Sequence, residues 1–176
     1  DNDSSNDCVQ DCAGIWGGDD STCDVYLSII NVNTNAGTLD IYMENSVPVA
    51  GFQLYLYGIT ITDISGGSAS QWFNILDFAE STGKILGASF DGSVIPPSEG
   101  ILLQVSFTND TDNEICMSLN TYNYDIDSGQ WTQFSSEDAE PLSVFVPDCV
   151  ILINGCTDPS ACNFDLDATE DDGSCL

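Results

Sequence analysis

The chain has no histidine and no arginine, and one lysine, Lys84, stands against 29 aspartates and glutamates for a formal charge of −28. A chain without cations cannot neutralise phosphates, which argues against nucleic acid as a partner. An anionic membrane surface is disfavoured for the same reason. Without histidine, no side chain has an ordinary pKa near neutrality, and the many serines have no base beside them. Paired carboxylates can serve a glycosidase, but here the acidic residues fall mostly in turns rather than around a cleft. The expectation is therefore a protein that is not an enzyme. No apolar run approaches the roughly 20 residues of a membrane-spanning helix, so no membrane span is expected. Asp1 to Asp7 are polar and acidic, with no initiator Met, unlike a secretory leader. A processed chain or a piece of a longer one is expected.

What is present is apolar and acidic. Hydrophobic residues make up 42% of the 176, enough to bury a core, and the length suits one domain with small appendages. The carboxylates have no internal cations to pair with. They must be hydrated, screened by salt or neutralised by bound ions.

Eight cysteines lie mostly at the ends: Cys8, Cys12 and Cys23, then Cys149, Cys156, Cys162 and Cys175, with Cys116 between. Zinc sites favour C-x2-C pairs, often with histidine. Spacings of C-x3-C, C-x10-C, C-x5-C and C-x12-C without histidine favour disulfides in an oxidising compartment. All eight are expected to be oxidised, with the connectivity open.

From Asn35 to Phe107 short apolar strands alternate with turn residues. Phe52, Gln53, Leu54, Tyr55 and Leu56 keep a period of two, and Leu103 to Phe107 repeats it. Strands are also expected at Val25–Val32, Thr38–Met43, Ile59–Ile64, Gly83–Phe90, Ile115–Tyr124, Gln130–Phe134 and Leu142–Val146. A turn falls at Asn109–Asn113 and a hairpin at Asp125–Gly129, while Trp72–Glu80 is the least strand-like stretch and has room for a helical turn. Strands at this spacing predict an all-β, two-sheet β-sandwich of jelly-roll type with small disulfide-rich ends. Three regions are expected: a Cys/Asp/Gly-rich segment over 1–24, the sandwich over 25–148, and a Cys/Asp-rich unit over 149–176. Val150, Ile151, Leu152 and Ile153 form an apolar run beyond Pro147. It either completes a sheet edge or pairs with a neighbouring subunit.

Three stretches resemble known families. Ala50-Gly51-Phe52-Gln53-Leu54, Gly83 to Phe90, and Ile95-Pro96-Pro97 with Gly100-Ile101-Leu102 resemble the cohesin-type β-sandwich family. That resemblance implies a recognition module for a dockerin-like protein. Asp11-Cys12-Ala13-Gly14-Ile15-Trp16-Gly17-Gly18 resembles the "DCAGVWGG" elements of large secreted surface proteins of marine microbes. Gly155 to Cys175 resembles the repeat "GCTDPxACNYxPxATxDDGSC" of secreted marine proteins, with Leu166 where the repeat has proline.

Asp158, Asp165, Asp167, Asp171 and Asp172 are candidate ligands for Ca2+, a hard cation that takes 6–8 oxygens. Asp19, Asp20 and Asp24 form a second candidate set. The spacing is not that of an EF-hand. Asp110, Asp112, Asp125 and Asp127 read as turn residues. Trp16, Trp72 and Trp131 with Tyr55 and Tyr57 are candidates for a sugar platform, though aromatics alternating in strands usually pack inward. Lys84 reads as a strand-end residue rather than an isopeptide donor. Sequons at Asn2-Asp3-Ser4 and Asn109-Asp110-Thr111 permit glycans.

The expectation that follows is a secreted structural subunit of a calcium-stabilised extracellular filament or surface layer. It would assemble with copies of itself through its ends and sheet edges. The alternative is a cohesin-like recognition module that binds a dockerin-like protein or a glycan.

Overall fold

The structure, a computed structural model, describes residues 23–109, 114–117, 132–166, 168, 170–171 and 173–176. Its elements in chain order are β1 (Val25–Asn33), β2 (Thr38–Asn45), β3 (Gly51–Tyr57), β4 (Ile59–Ser65), α1 (Gly67–Trp72), β5 (Ile75–Ala79), β6 (Lys84–Ala88) and β7 (Ser98–Asn109). Then follow β8 (Glu114–Met117), β9 (Gln133–Ser135), β10 (Pro141–Leu142), β11 (Val144–Phe145), β12 (Val150–Ile151), β13 (Asn154–Gly155) and β14 (Glu170–Asp171). Two sheets face each other, as the alternation requires. One has the order β11-β1-β2-β7-β4. The other runs β10-β9-β3-β6-β5, with β8 also on β3 and β12 on β8.

Register explains which side chains meet. Val25, Leu27 and Ile29 of β1, Leu39, Ile41 and Met43 of β2, and Leu103, Val105 and Phe107 of β7 turn inward. Phe52, Leu54 and Leu56 of β3, Ile85 of β6 and Phe134 of β9 meet them from the other sheet. Phe52 stacks on Phe134 at 5.4 Å between centroids and tilts against Phe73 at 5.9 Å. Gly87 lies opposite Phe52 in the ladder, and a Cβ there would collide with the Phe52 ring. The ring takes the space that a side chain on β6 would need, so position 87 admits only glycine without a shift of Phe52.

The chain passes from one sheet to the other through a single residue, Gly58, between Tyr57 of β3 and Ile59 of β4. Its φ is +85°, and a Cβ would strike the carbonyl oxygen of Glu114. The proline-rich loop before β7 is fastened from β2. The buried Asn45 amide donates to the carbonyls of Val47 (2.8 Å) and Pro96 (3.0 Å) and accepts from the Ser98 hydroxyl. Asn45 thus satisfies carbonyls that neighbouring strands cannot reach.

Two elements differ from what the residue pattern predicts. Trp72–Glu80 is not the helical turn: α1 ends at Trp72, and Ile75–Ala79 is strand β5, paired with β6. The helix starts earlier because Gly66 and Gly67, both at positive φ, turn the chain so that Ala69 is buried. The C-terminal boundary also moves. Val150 and Ile151 pair with Ile115 and Glu114, and Leu152 is buried, so these residues belong to the sandwich rather than to a unit that begins at 149. Residues 110–113, with most of the Asn109–Asn113 turn, and the Asp125–Gly129 hairpin lie outside the described residues.

Gly58→Ala is expected to lower stability by about 1–3 kcal/mol, because any side chain there combines an unfavourable φ with a clash. Urea denaturation followed by tryptophan fluorescence would measure it, with an unchanged midpoint as the contrary result.

Candidate recognition surface

The outer face of the β3–β6 sheet is where small, apolar and uncharged residues gather in this acidic chain. The ladder sets Ser135, Gly51, Ala88 and Ile75 in one row across β9, β3, β6 and β5. The next row holds Gln133, Gln53, Leu86 and Asp77, and the third holds Tyr55, Lys84 and Ala79. Gly51 lacks a side chain and Ala88 is small, so their row is low. A depression of about 250 Å³ lies over it, with Gln53, Leu86, Gln133 and Ser135 among its lining residues. Leu86 stands at its rim, 38% exposed. Lys84, the one cation of the chain, lies 5.8 Å from the centre of the Tyr55 ring. Tyr55 is buried, and Tyr57 farther along β3 is 39% exposed.

A turn at the end of the lowest row carries Phe90, which is 87% exposed. Its backbone N–H donates to Asn74 Oδ1, just before β5. The Asp91 carboxylate accepts from the hydroxyls of Ser89 and Ser93 and from the Ser93 N–H. These bonds, the Ser89 hydroxyl first, lower the Asp91 pKa from 3.8 to about 2. The turn is thus ordered by its own polar groups while it holds a large apolar ring in water. Such a preordered aromatic suits an anchor in a protein interface.

The expected metal ligands do not come together among the described residues. Asp24 clasps two strands: its carboxylate accepts from the N–H and hydroxyl of Ser143, each at 2.9 Å, where β1 meets β11. Asp158 accepts from the N–H and hydroxyl of Ser160 within its own turn, and this lowers its pKa. Asp171 accepts from the Gly173 N–H, and Asp165 lies against Gly155. Asp19, Asp20, Asp167 and Asp172 lie outside the described residues. Among the described residues, Asp158, Asp165 and Asp171 are not a group whose oxygens all lie within 4.8 Å of one another. The one cluster of three among the described residues with ligand atoms within 4.8 Å of one another is Glu114, Cys116 and Cys149. Its two sulfurs are bonded to each other, so it offers no thiolate to a metal.

Disulfides join Cys116 to Cys149 and Cys156 to Cys175, and Cys23 is also oxidised. Cys8 and Cys12 lie outside the described residues. Cys162 departs from the expectation: its thiol is free and exposed. The C-terminal loop is closed instead by Cys156–Cys175 and by Asn163, whose side chain bonds the Ser174 carbonyl and the Leu176 N–H. Of the expected assembly residues, Val150 and Ile151 pair with β8 inside the chain, Leu152 is buried, and Ile153 is 39% exposed. The suggested aromatic platform is not assembled among the described residues. Tyr55 is buried and Trp72 ends α1, while Trp16 and Trp131 lie outside them. Gly51, Leu86, Gln133 and Phe90 escaped the sequence reading as site residues. Phe90 between a serine and Asp91-Gly92 was the one signal that marked a turn displaying a ring.

No family model matches the chain, and no curated protein does. Among solved structures the chain is similar to the CaDoc0917–CaCohA2 complex crystallised at pH 5.5, with TM-score 0.45 and 16% identity over 68% of this chain and 92% of that one. A type II cohesin domain from the cellulosome of Acetivibrio cellulolyticus gives TM-score 0.45 and 14% identity over 74% and 95%. A type III cohesin module of Ruminococcus flavefaciens gives 0.39 and 10% over 66% and 74%.

Two measurements check this account. Iodoacetamide applied to the native protein is expected to label Cys162 and to spare Cys116, Cys149, Cys156 and Cys175, as read by peptide mass spectrometry. Acid titration of the Asp91 carboxyl by NMR is expected to give a midpoint near 2. Because its folded pKa is depressed, Asp91 supports the turn above about pH 4 and loses that support as the pH falls toward 2. A midpoint at the ordinary aspartate value would contradict the hydrogen-bonded turn.

Proposed function

We propose that the chain is a non-catalytic recognition module that takes a protein partner on the outer face of the β3–β6 sheet. The observation that carries this is the depression over Gly51 and Ala88, rimmed by Leu86 and two glutamines and flanked by Phe90. It joins an apolar anchor, a small-floored recess and directional amides, the ingredients of a specific interface core. Around it the chain is strongly acidic, so a partner with a basic periphery gains a faster, salt-sensitive encounter. The resemblance of residues 50–54, 83–90 and 95–102 to cohesins makes a dockerin-like module the first partner to test. Disulfides at Cys116–Cys149 and Cys156–Cys175 suit an extracellular or cell-surface setting. Among the described residues no helix is long and apolar enough to cross a membrane.

The second reading is a self-assembling subunit of an extracellular filament or surface layer. It draws on Ile151 and Ile153, exposed where the sandwich meets the C-terminal unit. Copies with a charge of −28 each repel one another at low salt, so this reading requires that salt or cations drive association. Sedimentation across salt and calcium concentrations separates the two: growth to polymers favours the subunit, and a persistent monomer favours the module.

Calorimetric titration with dockerin modules tests the first reading. Leu86→Asp and Gly51→Val, which place a charge at the rim or fill the recess, are each expected to weaken binding by at least about tenfold, or about 1.4 kcal/mol. Binding that survives both would remove the β3–β6 face from the proposal. Failure of every dockerin would remove the dockerin-like partner.

A further inference from the structure

The opposite face of the sandwich carries a different surface, on which the reading above does not depend. On the outside of the five-stranded sheet, Phe145 of β11 lies beside Tyr26 of β1, their ring centroids 5.8 Å apart at 37°. One row along, Tyr42 of β2 stands beside Ile101 of β7. Phe145 is 47% exposed and Ile101 40%, while the two tyrosines are half-buried. The Phe145–Tyr26 row continues to Glu44 and Glu99 and the Tyr42–Ile101 row to Ser28, so the two pairs lie diagonally on the face and together span four strands, about 15 Å at the usual spacing between strands.

Hydrogen-bonding groups border the strip. Beyond Tyr42, Asp40 is 6% exposed, and its carboxylate accepts from Asn31 Nδ2 (2.8 Å) and Gln104 Nε2 (3.1 Å), which fixes both amides. Asn31 adopts a left-handed φ of 51° at the irregularity in β1, a conformation asparagine tolerates. On the near side, Glu44 and Glu99 face each other directly across β2 and β7. Two like charges so placed oppose each other, and donors shared between them relieve the repulsion.

The chemistry selects the ligand. No lysine or arginine lies on this face, since Lys84 is on the other sheet, so a polyanion is repelled. Carboxylates are acceptors only and call for donors. The rings call for an apolar surface laid flat on them. A neutral polyhydroxylated chain supplies both at once: C–H faces for Phe145, Tyr26 and Tyr42, and hydroxyl donors for Glu44 and Glu99. A basic peptide would satisfy the carboxylates, but it would find them anywhere on a chain of this charge. The aromatic strip is what sets this face apart.

We propose that the outer face of the five-stranded sheet, through the Phe145–Tyr26–Tyr42 strip and its bordering carboxylates, binds a neutral polysaccharide.

The test is a pull-down with amorphous cellulose, an insoluble β-1,3-glucan and chitin, with alginate and polylysine as charged counterparts. Retention on at least one neutral polymer and none on alginate is expected. Phe145→Ala and Tyr42→Ala are each expected to lower that retention by about tenfold. Tyr42→Phe, which keeps the ring, and Leu86→Asp on the opposite sheet are expected to keep it, with melting temperatures that report on folding of every variant. No retention on any of the three neutral polymers would overturn the proposal. So would retention that folded Phe145→Ala and Tyr42→Ala do not reduce, and so would binding to polylysine alone.

Discussion

One cation among 29 acidic residues leaves this fold almost no ion pairs to use, and that constraint shapes the arrangement of its polar groups. The carboxylates that take part in structure are held by neutral donors. Asp24 takes the Ser143 N–H and hydroxyl, Asp40 the amides of Asn31 and Gln104, Asp91 the hydroxyls of Ser89 and Ser93, and Asp158 those of Ser160. A hydroxyl or amide bound to a carboxylate is a charge-assisted hydrogen bond, and it needs no second charge to be desolvated. Each of these bonds is local or joins neighbouring strands. They shape turns and edges, and the main cohesion comes from the apolar faces between the sheets.

The constraint also distributes function between surfaces. Where carboxylates crowd, only ions, hydroxyls or basic partners can approach. The β3–β6 face largely escapes this because its rows are built of Gly51, Ala88, Ile75, Leu86 and two glutamines, with Lys84 laid over Tyr55 and Asp77 of β5 at the margin. The five-stranded sheet takes the other course. Its outer face keeps its carboxylates and alternates them with rings, which makes it a surface for donors. A sandwich has two outer faces, and in this one they differ in chemistry because β3 and β6 carry no acids while β2 and β7 carry Asp40, Glu44 and Glu99.

The disulfides complete the picture at the margins. Cys116–Cys149 joins β8 to the segment that enters β12, and so holds the short strand Val150–Ile151 to the sheet. Cys156–Cys175 closes the C-terminal unit, which buries few large apolar groups and needs a cross-link to be ordered. Between them Leu152 tucks into the core. The join between sandwich and C-terminal unit is thus fixed on both sides.

Much of this was legible in the order of residues. The two-sheet, all-β architecture, the inward sets of β1, β2, β3 and β7, and the oxidised cysteines at 23, 116, 149, 156 and 175 follow from period-two alternation and cysteine spacing. These signals are local, and the hydrophobic effect acts on them wherever the strand lies. The sites were not legible. Ser135, Gly51, Ala88 and Ile75 come from four strands, and no local pattern announces that register will set them in one row. At Asp24 and Asp158 a sequence shows the carboxylate but not the serine that tertiary contact or a tight turn brings to it. Cys162 looked like a bridge partner for the same reason. Pairing depends on which sulfurs meet, and only the folded chain decides that.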